Sequence, residues 1–168
     1  MALSLRIGHG YDIHRLQDGG KLVLGGIVVA EGISPIAHSD GDVVAHAIVD
    51  ALLGAMGLGD IGEHFPNTDP QWKGAASRVF LARTLEQMVD AGFRPHHLDV
   101  TILAERPKLK PFKRQMVRWI AEVLEMPVSR VNVKAGTNEG CDAIGRGEAI
   151  AAHAVVLVEP IEDTRPAL

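Results

Sequence analysis

At 168 residues and a formal net charge of −4, the chain has the size of one domain and lacks the basic excess of nucleic-acid-binding proteins. Hydrophobic residues make up 46% of it but aromatic residues only 4%, so we expect an aliphatic core. The single cysteine, Cys141, excludes an intramolecular disulfide and is typical of a reducing compartment. No apolar run approaches the about 20 residues of a membrane-spanning helix. We therefore expect a cytoplasmic protein that binds neither nucleic acid nor membrane.

Hydrophobic periodicity divides the chain into strands interleaved with three helices. Gly57 and Gly92 mark the ends of the first two helices, and Ser39 or Asp40 is expected to cap the first. In chain order the predicted elements are a strand over 5–12, a turn at Asp18-Gly19-Gly20, a short hairpin over 21–29 around Gly25-Gly26, a helix ending at Gly57, a long loop over 58–74, a helix over 77–91, a strand over 98–104, a helix over 112–124, and strands over 131–135 and 150–158.

This order of elements predicts an α+β fold, a two-layer sandwich in which helices cover one face of a mixed β-sheet. The single domain would span 1–160, and the polar segment 161–168 would form a frayed tail. The last strand, 149–158, is apolar on both faces, and a sheet with helices on one side only would leave its other apolar face uncovered. We therefore expect the chain to form an oligomer.

Three residues predict a metal centre. Asp12 and His14 lie two apart at the end of the first strand, so their side chains would point to the same face of the sheet. His46, on the first helix, is the third candidate ligand. Taken singly, each would more often be an ordinary polar residue. Together they leave the fourth position of a tetrahedral ion open, as catalytic zinc sites do, and they predict an enzyme.

The run Ala37-His38-Ser39-Asp40-Gly41-Asp42 leads into the first helix, and a helix N-terminus with free N–H groups favours phosphate. His38 and Ser39 could bind phosphate oxygens there; alternatively, Ser39 and Asp40 only cap the helix. Asp50, one turn after His46, either orients that imidazole or is a solvated carboxylate.

Two further segments could contact phosphates. The Lys and Arg residues cluster over 106–114, where Lys108 and Lys110 either bind a small anion or form a solvated cationic turn. The glycine-rich segment 134–140 follows a strand, so its backbone amides could approach an anion. Glu139, beside Thr137, could hold a divalent cation between phosphates. On these residues alone a zinc hydrolase and a phosphoryl-transferring synthase are about equally favoured, and a non-catalytic nucleotide-binding protein is a third alternative.

The order and spacing of several motifs resemble those of the 2-C-methyl-D-erythritol 2,4-cyclodiphosphate synthase family. The resemblance covers about residues 5–158. The motifs are Gly8-His9-Gly10-Tyr11-Asp12-Ile13-His14, Ala37-His38-Ser39-Asp40-Gly41-Asp42, Gly59-Asp60-Ile61-Gly62, Phe65-Pro66-x-Thr68-Asp69-Pro70 and Gly145-Arg146-Gly147-Glu148. The resemblance implies conversion of 4-diphosphocytidyl-2-C-methyl-D-erythritol 2-phosphate into the cyclic diphosphate and CMP, in the non-mevalonate route to isoprenoids. It also implies a homotrimer whose sheets pack around a three-fold axis, with each active site between neighbouring subunits.

The resemblance also implies roles for individual residues. Zn²⁺, or another divalent first-row metal, would be held by Asp12, His14 and His46, and a second cation, Mg²⁺ or Mn²⁺, by Glu139. His38 and Thr137 match positions that stabilise the transition state. The substrate-binding positions would be Asp12, His14, His38, Ser39, Asp60, Ile61, Gly62, Phe65, Pro66, Asn67, Thr68 and Asp69 for the methylerythritol phosphate end; Ala104, Glu105, Arg106, Pro107, Lys108, Leu109, Lys110, Gly136, Thr137, Asn138 and Glu139 for the cytidine diphosphate end; and Ala143 and Arg146 near the trimer axis.

This chain departs from the family pattern at a few positions. Asn67 replaces the more usual Asp, which removes one charge beside the substrate. Gly136 and Asn138 stand where Thr is frequent, so nucleotide contacts would shift toward the backbone. Ala143 stands where many members have an aromatic residue beside Arg146, at a cavity that binds isoprenoid diphosphates in the family. None of these differences involves the three predicted zinc ligands.

Overall fold

The computed structural model describes residues 5–161, which form a five-stranded β-sheet and five α-helices. The predicted tail therefore lies outside the described residues except for Ile161, whose N–H donates to the carbonyl of Gly92 over 2.8 Å. No helix in the described part of the chain is long and apolar enough to cross a membrane. The strands are β1 (Arg6–Leu24), β2 (Ile27–Pro35), β3 (Phe93–Leu103), β4 (Val131–Gly136) and β5 (Ala149–Pro160). The helices are α1 (Val43–Met56), α2 (Ile61–His64), α3 (Ser77–Asp90), α4 (Lys113–Val123) and α5 (Asp142–Gly145).

The sheet is mixed, with the spatial order β2-β1-β5-β3-β4. All neighbouring strands are antiparallel except β3 and β4, which are parallel and joined by a crossover through α4. In the β1–β5 pair, Asp12 lies opposite Ala152 and His14 opposite Ile150, so both candidate ligands are near the middle of the sheet. The predicted α+β class and mixed sheet are confirmed.

The core lies between one face of the sheet and the helices. On β5 the alternate residues Ile150, Ala152, Ala154, Val156 and Val158 are fully buried beneath the helices, as the two-residue period of a strand requires. Nearly every residue of α1 is buried, because this helix packs against β1 and β5 on one side and against α3 on the other. This central position places the side chains of α1 directly over the end of β1 that carries Asp12.

The first strand is longer than predicted. It continues past Asp12 to Leu24, and the segment Asp18-Gly19-Gly20, predicted as a turn, lies within it. The positive φ angles of Gly19 and Gly20, 87° and 75°, accommodate a register shift relative to β2 between Asp18 and Lys21, so a bulge replaces the expected reversal of direction. The predicted turn at Gly25-Gly26 is confirmed. The strand after it, β2, continues to Pro35, whereas the predicted hairpin ended at residue 29.

The cap of α1 is Asp42, so the prediction of Ser39 or Asp40 was wrong. The fully buried Asp42 carboxylate accepts the N–H groups of Val44 and Ala45, and it also accepts those of Gly25 and Gly26, over 2.7–3.2 Å. Burial raises the pKa of Asp42 to about 6, although the N–H groups of Gly26, Gly25 and Ala45 act in the opposite direction. One side chain therefore ties the β1–β2 turn to the start of α1.

The remaining elements follow the predictions with altered ends. Gly57, with φ 70°, ends α1 as predicted, and α3 ends two residues before Gly92. The segment 58–74, predicted as a loop, contains α2 and a 3₁₀ turn at Pro70–Trp72. Strand β3 begins five residues earlier than predicted, because Phe93–Pro95 pairs with the end of β5. The predicted helix over 112–124 and the last two strands are confirmed within two residues.

Within residues 5–161, a helix covers the second face of the sheet only at one end, and several apolar side chains are exposed there. Ile7, Tyr11 and Ile13 of β1 are 71%, 43% and 43% exposed, and Val155 of β5 is 39% exposed. Because they alternate with the buried residues of the same strands, they lie on the face opposite the helices. The predicted second apolar face is thus present, with α5 and Ala143 packed only against its end, at Ala149 and Ala151.

Candidate metal centre and active site

Asp12, His14 and His46 meet at the point where β1 passes beneath α1. The Asp12 Oδ2 atom is 3.0 Å from His46 Nδ1 and 3.3 Å from His14 Nε2, and the two ring nitrogens are 3.4 Å apart. Each residue can offer one ligand atom to the same ion, because those atoms lie within 4.8 Å of one another. The predicted convergence of these side chains is observed.

The close packing of α1 on β1 explains this geometry. Gly8 and Gly10 lie on the same face of β1 as Asp12, and a Cβ atom on Gly10 would lie 1.9 Å from the backbone oxygen of Ala47. A side chain on either glycine would therefore prevent the helix from reaching its position. Asp12 and His14 continue the same face of the strand, so they reach the helix where His46 projects from it.

Mutual interactions set the charges of the three groups. Burial by itself raises the pKa of Asp12, but the hydrogen bond to the His46 ring and the charge of His14 outweigh burial and hold the pKa below its usual value. Burial lowers the pKa of His14, which therefore favours the neutral form that a metal ligand needs. For His46 burial acts in the same direction, but the hydrogen bond and charge of Asp12 outweigh it and raise the pKa.

The other nitrogen of His46 contacts two hydroxyl groups. His46 Nε2 is 3.0 Å from Ser77 Oγ and 3.2 Å from Ser39 Oγ, and Ser77 Oγ in turn donates to the Asp40 carboxylate. With Nδ1 facing the cluster, these contacts fix the ring orientation in the way that outer partners of metal-bound histidines do. The suggestion that Asp50 orients His46 was wrong, because the Asp50 carboxylate accepts the N–H of Ile61 over 2.8 Å at the start of α2.

This set of donor atoms fits a divalent metal ion. One carboxylate oxygen and two imidazole nitrogens are ligands that zinc accepts, and they are also compatible with other first-row metals. The three side chains are half-buried or buried and carry one negative charge when both rings are neutral. A bound cation would therefore offset the charge of the Asp12 carboxylate.

A cavity of about 350 Å³ opens beside the three candidate ligands. One side of it is polar, and its other side is an aromatic wall of Phe65, Trp72 and Phe80, whose rings stand 4.8–5.7 Å apart. Among the predicted site residues the lining includes Asp12, His14, His38, Ser39, His46, Ile61, Gly62, Phe65, Pro66 and Asn67. The cavity thus has the size and the mixed lining of a small-molecule site.

Three predicted residues of the same segments do not line the cavity: Asp60, Thr68 and Asp69. Asp60 caps α2 through the N–H of Glu63, and Asp69 caps the 3₁₀ turn through the N–H of Gln71. At the start of α1 the Asp42 carboxylate accepts the N–H groups of Val44 and Ala45, so these two are not free to bind phosphate.

The residues predicted to bind the cytidine diphosphate end form a second group at the ends of β3 and β4. The Glu105 carboxylate accepts the N–H groups of Asn138 and Gly140 over 3.0 and 3.4 Å, and Thr137 Oγ1 donates to Glu139 over 2.7 Å. The described residues that line the cavity at the metal centre include none from 104–110 or 136–139. In this group Arg106, Lys108 and Lys110 are exposed, Pro107 is half-buried, Gly136 ends β4, and Ala104 and Leu109 are buried.

Arg146 makes a two-pronged ion pair with Glu148. Its Nε and one terminal nitrogen each lie 3.0 Å from a different carboxylate oxygen, and both side chains are exposed. Ala143 packs beside Ile144 at the end of the open sheet face. Neither Ala143 nor Arg146 is among the described residues that line the cavity.

Sequence reasoning missed three residues of the cavity region: Trp72, Phe80 and Ser77. The two aromatic residues have the helical or turn-like spacing of ordinary core residues, so no local signal distinguished them. Ser77 was treated only as the start of a helix. Ser77 is 1% exposed in the structure and a buried hydroxyl requires a partner, but nothing in the sequence indicated that this position is buried.

A carboxylate and two imidazoles that could hold one metal ion lie beside a cavity of small-molecule size, an arrangement typical of metal-dependent enzymes. The model of the YgbB family matches residues 5–159, and the chain belongs to that family.

Relatives and solved structures give the same result. The chain is 52% identical to the 2-C-methyl-D-erythritol 2,4-cyclodiphosphate synthase of Pseudomonas savastanoi pv. phaseolicola, over 92% of this chain and 98% of that one. It is similar to the bifunctional IspDF of Campylobacter jejuni with a TM-score of 0.94 and 39% identity, over 98% of this chain and 44% of that one. The Plasmodium falciparum IspF complex with CDP has a TM-score of 0.84 and 32% identity, over 96% of this chain and all of that one (100%).

Proposed function

We propose that this chain converts 4-diphosphocytidyl-2-C-methyl-D-erythritol 2-phosphate into 2-C-methyl-D-erythritol 2,4-cyclodiphosphate and CMP, a step of non-mevalonate isoprenoid biosynthesis. It acts as a phosphorus–oxygen lyase. The observation that supports this best is the cluster of Asp12, His14 and His46 beside a cavity, in a chain about half identical to named synthases. The exposed, free Cys141 suits a reducing compartment, so we place the reaction in the cytoplasm.

The reaction is an intramolecular phosphoryl transfer. An oxygen of the 2-phosphate forms a bond to the β-phosphorus of the diphosphate, the bond from that phosphorus to the bridging oxygen of CMP breaks, and CMP leaves with the electron pair. Such steps require little covalent participation by the protein and depend mainly on alignment and charge stabilisation. Alignment of two tethered groups can contribute about 7–11 kcal/mol in favourable cases.

The cavity would hold the methylerythritol phosphate end of the substrate. Asp12, His14 and His46 would hold a divalent first-row cation, which we take to be Zn²⁺ and which would supply Lewis-acid chemistry at the phosphate oxygens when bound. His38 and Ser39 line the same cavity and would donate hydrogen bonds to phosphate oxygens. The wall of Phe65, Trp72 and Phe80 excludes water from that side, which strengthens these polar interactions.

The cytidine diphosphate end would bind to a different subunit of a homotrimer. The residues assigned to it, 104–110 and 136–139, lie outside the cavity lining of their own chain, so a neighbouring copy could supply them to it. The exposed apolar face with Ile7, Tyr11, Ile13 and Val155 offers a surface for such packing around a three-fold axis. Ala143 and Arg146 would then lie near that axis.

Glu139 would hold a second cation, Mg²⁺ or Mn²⁺, which would supply charge neutralisation for the substrate phosphates. This carboxylate is exposed and accepts only the hydroxyl of Thr137 among the described contacts, so its second oxygen is available to a hard cation. Thr137, adjacent to the same phosphates, would stabilise the transition state by hydrogen bonding once released from Glu139. The Glu105 carboxylate keeps this loop in place through the Asn138 N–H.

The test is turnover and metal content of His46→Ala, with His64→Ala as a control. His64 is also a helical histidine, but its ring contacts the carbonyl of Leu58 and does not line the cavity. The expected result is loss of bound zinc and of CMP release in His46→Ala, and retention of both in His64→Ala. Normal CMP release by zinc-free His46→Ala protein would contradict the assigned metal role.

Running the wild-type reaction in ¹⁸O-labelled water separates cyclisation from hydrolysis. Cyclisation incorporates no solvent oxygen into either product, whereas a metal-activated water attacking the β-phosphorus would place its oxygen in the phosphate of a linear bisphosphate. Unlabelled CMP and unlabelled cyclic diphosphate are expected. Label in a linear product would identify a hydrolase, and tight CDP binding without any product would identify a binding protein.

A further inference from the structure

A pair of histidines meets on the open face of the sheet, on the side opposite the candidate active site. His9 of β1 and His153 of β5 are diagonal neighbours, since His9 lies opposite Val155 and His153 lies opposite Tyr11. His9 Nε2 is 3.1 Å from His153 Nδ1. Because residues of β1 alternate between the faces, His9 and Tyr11 point away from the face that carries Asp12 and His14.

We propose that His9 and His153 hold a second divalent first-row metal ion, distinct from the ion at Asp12, His14 and His46. Metal–imidazole bonds of about 2.0–2.1 Å place two nitrogens on one ion about 2.9 Å apart at a right angle and about 3.4 Å apart at a tetrahedral angle. The observed separation of 3.1 Å falls within this range. It resembles the 3.4 Å between the facing ring nitrogens of His14 and His46.

The two rings are held in this arrangement by the sheet. His9 and His153 lie on hydrogen-bonded neighbouring strands, and the Tyr11 ring lies against His153 with a centroid separation of 4.6 Å. The His9 and His153 rings are themselves stacked, with centroids 5.4 Å apart. Ion binding therefore requires little rearrangement of either strand.

The surroundings of the pair leave it available to a metal. On the neighbouring strand β3 the residue opposite Val155 is Asp99, and its carboxylate is already bonded to Asn132 and Lys134. Within residues 5–161 the hydrogen bonds and ion pairs of His9 and His153 include no carboxylate. Within the described residues, no carboxylate therefore competes with a metal ion for the two imidazoles.

The chemistry of the pair selects the ion. Two imidazole nitrogens suit Zn²⁺, Cu²⁺ and Ni²⁺, whereas Mg²⁺ and Ca²⁺ prefer oxygen ligands. Water would complete the coordination. If another copy covers this face, as the proposed trimer requires, the ring nitrogens become buried and the ion would supply the polar partner that they then need. Ion binding by the pair itself does not depend on the proposed function.

The proposal is tested by titrating zinc into the full chain after a chelator has removed bound metal, with binding measured by calorimetry. We expect about two ions per chain, a tight one at the three-residue centre and a weaker one at the pair, since fewer protein ligands hold the second ion. His9→Ala and His153→Ala should each lose the weaker ion and keep the tight one. His97→Ala is the control, because His97 is an exposed histidine on the same face and lies opposite Leu157 on the neighbouring strand.

Three outcomes would overturn the proposal. One ion per wild-type chain would mean that the two rings share only an N–H···N hydrogen bond. A weaker binding stage that persists in both variants would place the second ion elsewhere. A zinc-soaked crystal of the wild-type protein gives an independent readout: we expect an anomalous peak between His9 Nε2 and His153 Nδ1, and a peak only at the three-residue centre would refute the site. None of these measurements uses substrate, so failure here is distinct from failure of the proposed activity.

Discussion

The contact between β1 and α1 depends on the absence of a side chain at Gly10. A Cβ atom there would lie 1.9 Å from Ala47 O and 2.7 Å from Ala51 N, both of which are backbone atoms of α1. Non-bonded carbon and oxygen atoms approach to about 3.3 Å, so Gly10→Ala must separate strand and helix by about 1.4 Å at this point. No side-chain rotation can relieve the overlap, because the opposing atoms belong to the backbone.

This displacement affects both stability and the metal centre. Overpacking in a core costs about 1–3 kcal/mol, and a contact with backbone belongs at the upper end of that range. Asp12 follows Gly10 on the same face of β1, while His46 precedes Ala47 on α1, so the distance between the two candidate ligands would increase. A misplacement of about 1 Å in an active site can reduce the rate about 100-fold. We therefore expect Gly10→Ala to lower the unfolding free energy by about 3 kcal/mol. We also expect it to reduce the rate of turnover about 100-fold.

Urea denaturation, zinc titration and CMP release of Gly10→Ala measure these effects. Gly54→Ala is the matched control, since Gly54 lies on the exposed side of α1 and an added Cβ would meet no atom within 4 Å. The control should be more stable than wild type by about 0.5–1 kcal/mol, because alanine is the better helix former. Wild-type stability and zinc affinity in Gly10→Ala would refute the claim that close packing of β1 and α1 sets the site geometry.

Two further predictions concern buried or paired carboxylates, and one concerns the metal. Asp42→Asn should lower the unfolding free energy in urea by about 2–4 kcal/mol, because an amide cannot accept the four N–H groups that the carboxylate accepts; an unchanged midpoint would contradict this role. Burial raises the pKa of Glu159, but hydrogen bonds from Arg94 and His96 over 2.9 and 2.6 Å outweigh it and lower the pKa. The ion pair therefore stabilises the fold above the ordinary glutamate range, and this contribution is lost as the pH falls through the folded-state pKa. Glu159→Gln should cost about 1 kcal/mol at pH 7 and nothing in acid, whereas a loss independent of pH would argue against the ion pair. Chelator treatment should abolish CMP release and added zinc should restore it; activity that survives a demonstrated loss of metal would refute the metal requirement.

The parts of the fold that could be predicted from sequence are those set by local periodicity. Helices α1 and α3 and strand β5 have clear apolar patterns and glycine signals at the helix ends. The course of β1 beyond Asp12 was missed because it depends on pairing with β2, and Gly19 and Gly20 read locally as a turn rather than as a bulge. The role of Asp42 was missed for the same reason, since two of its four partners lie in the β1–β2 turn.

The candidate site was predictable where strand geometry determines it. The two-residue spacing of Asp12 and His14 places both on one face of β1, and the structure brings His46 to the same point. The contact of Ser77 with His46 could not be predicted, because 31 residues separate them in sequence. Asp50 was considered as a partner of His46 on helical spacing alone, but its carboxylate is engaged by the start of α2.

Phosphorus NMR of the purified chain with zinc, Mg²⁺ and 4-diphosphocytidyl-2-C-methyl-D-erythritol 2-phosphate tests the central claim most directly. We expect CMP and a cyclic diphosphate in equal amounts, with no linear bisphosphate. CMP together with a linear bisphosphate would contradict cyclisation. An unchanged substrate spectrum in the presence of both metals would contradict catalysis itself.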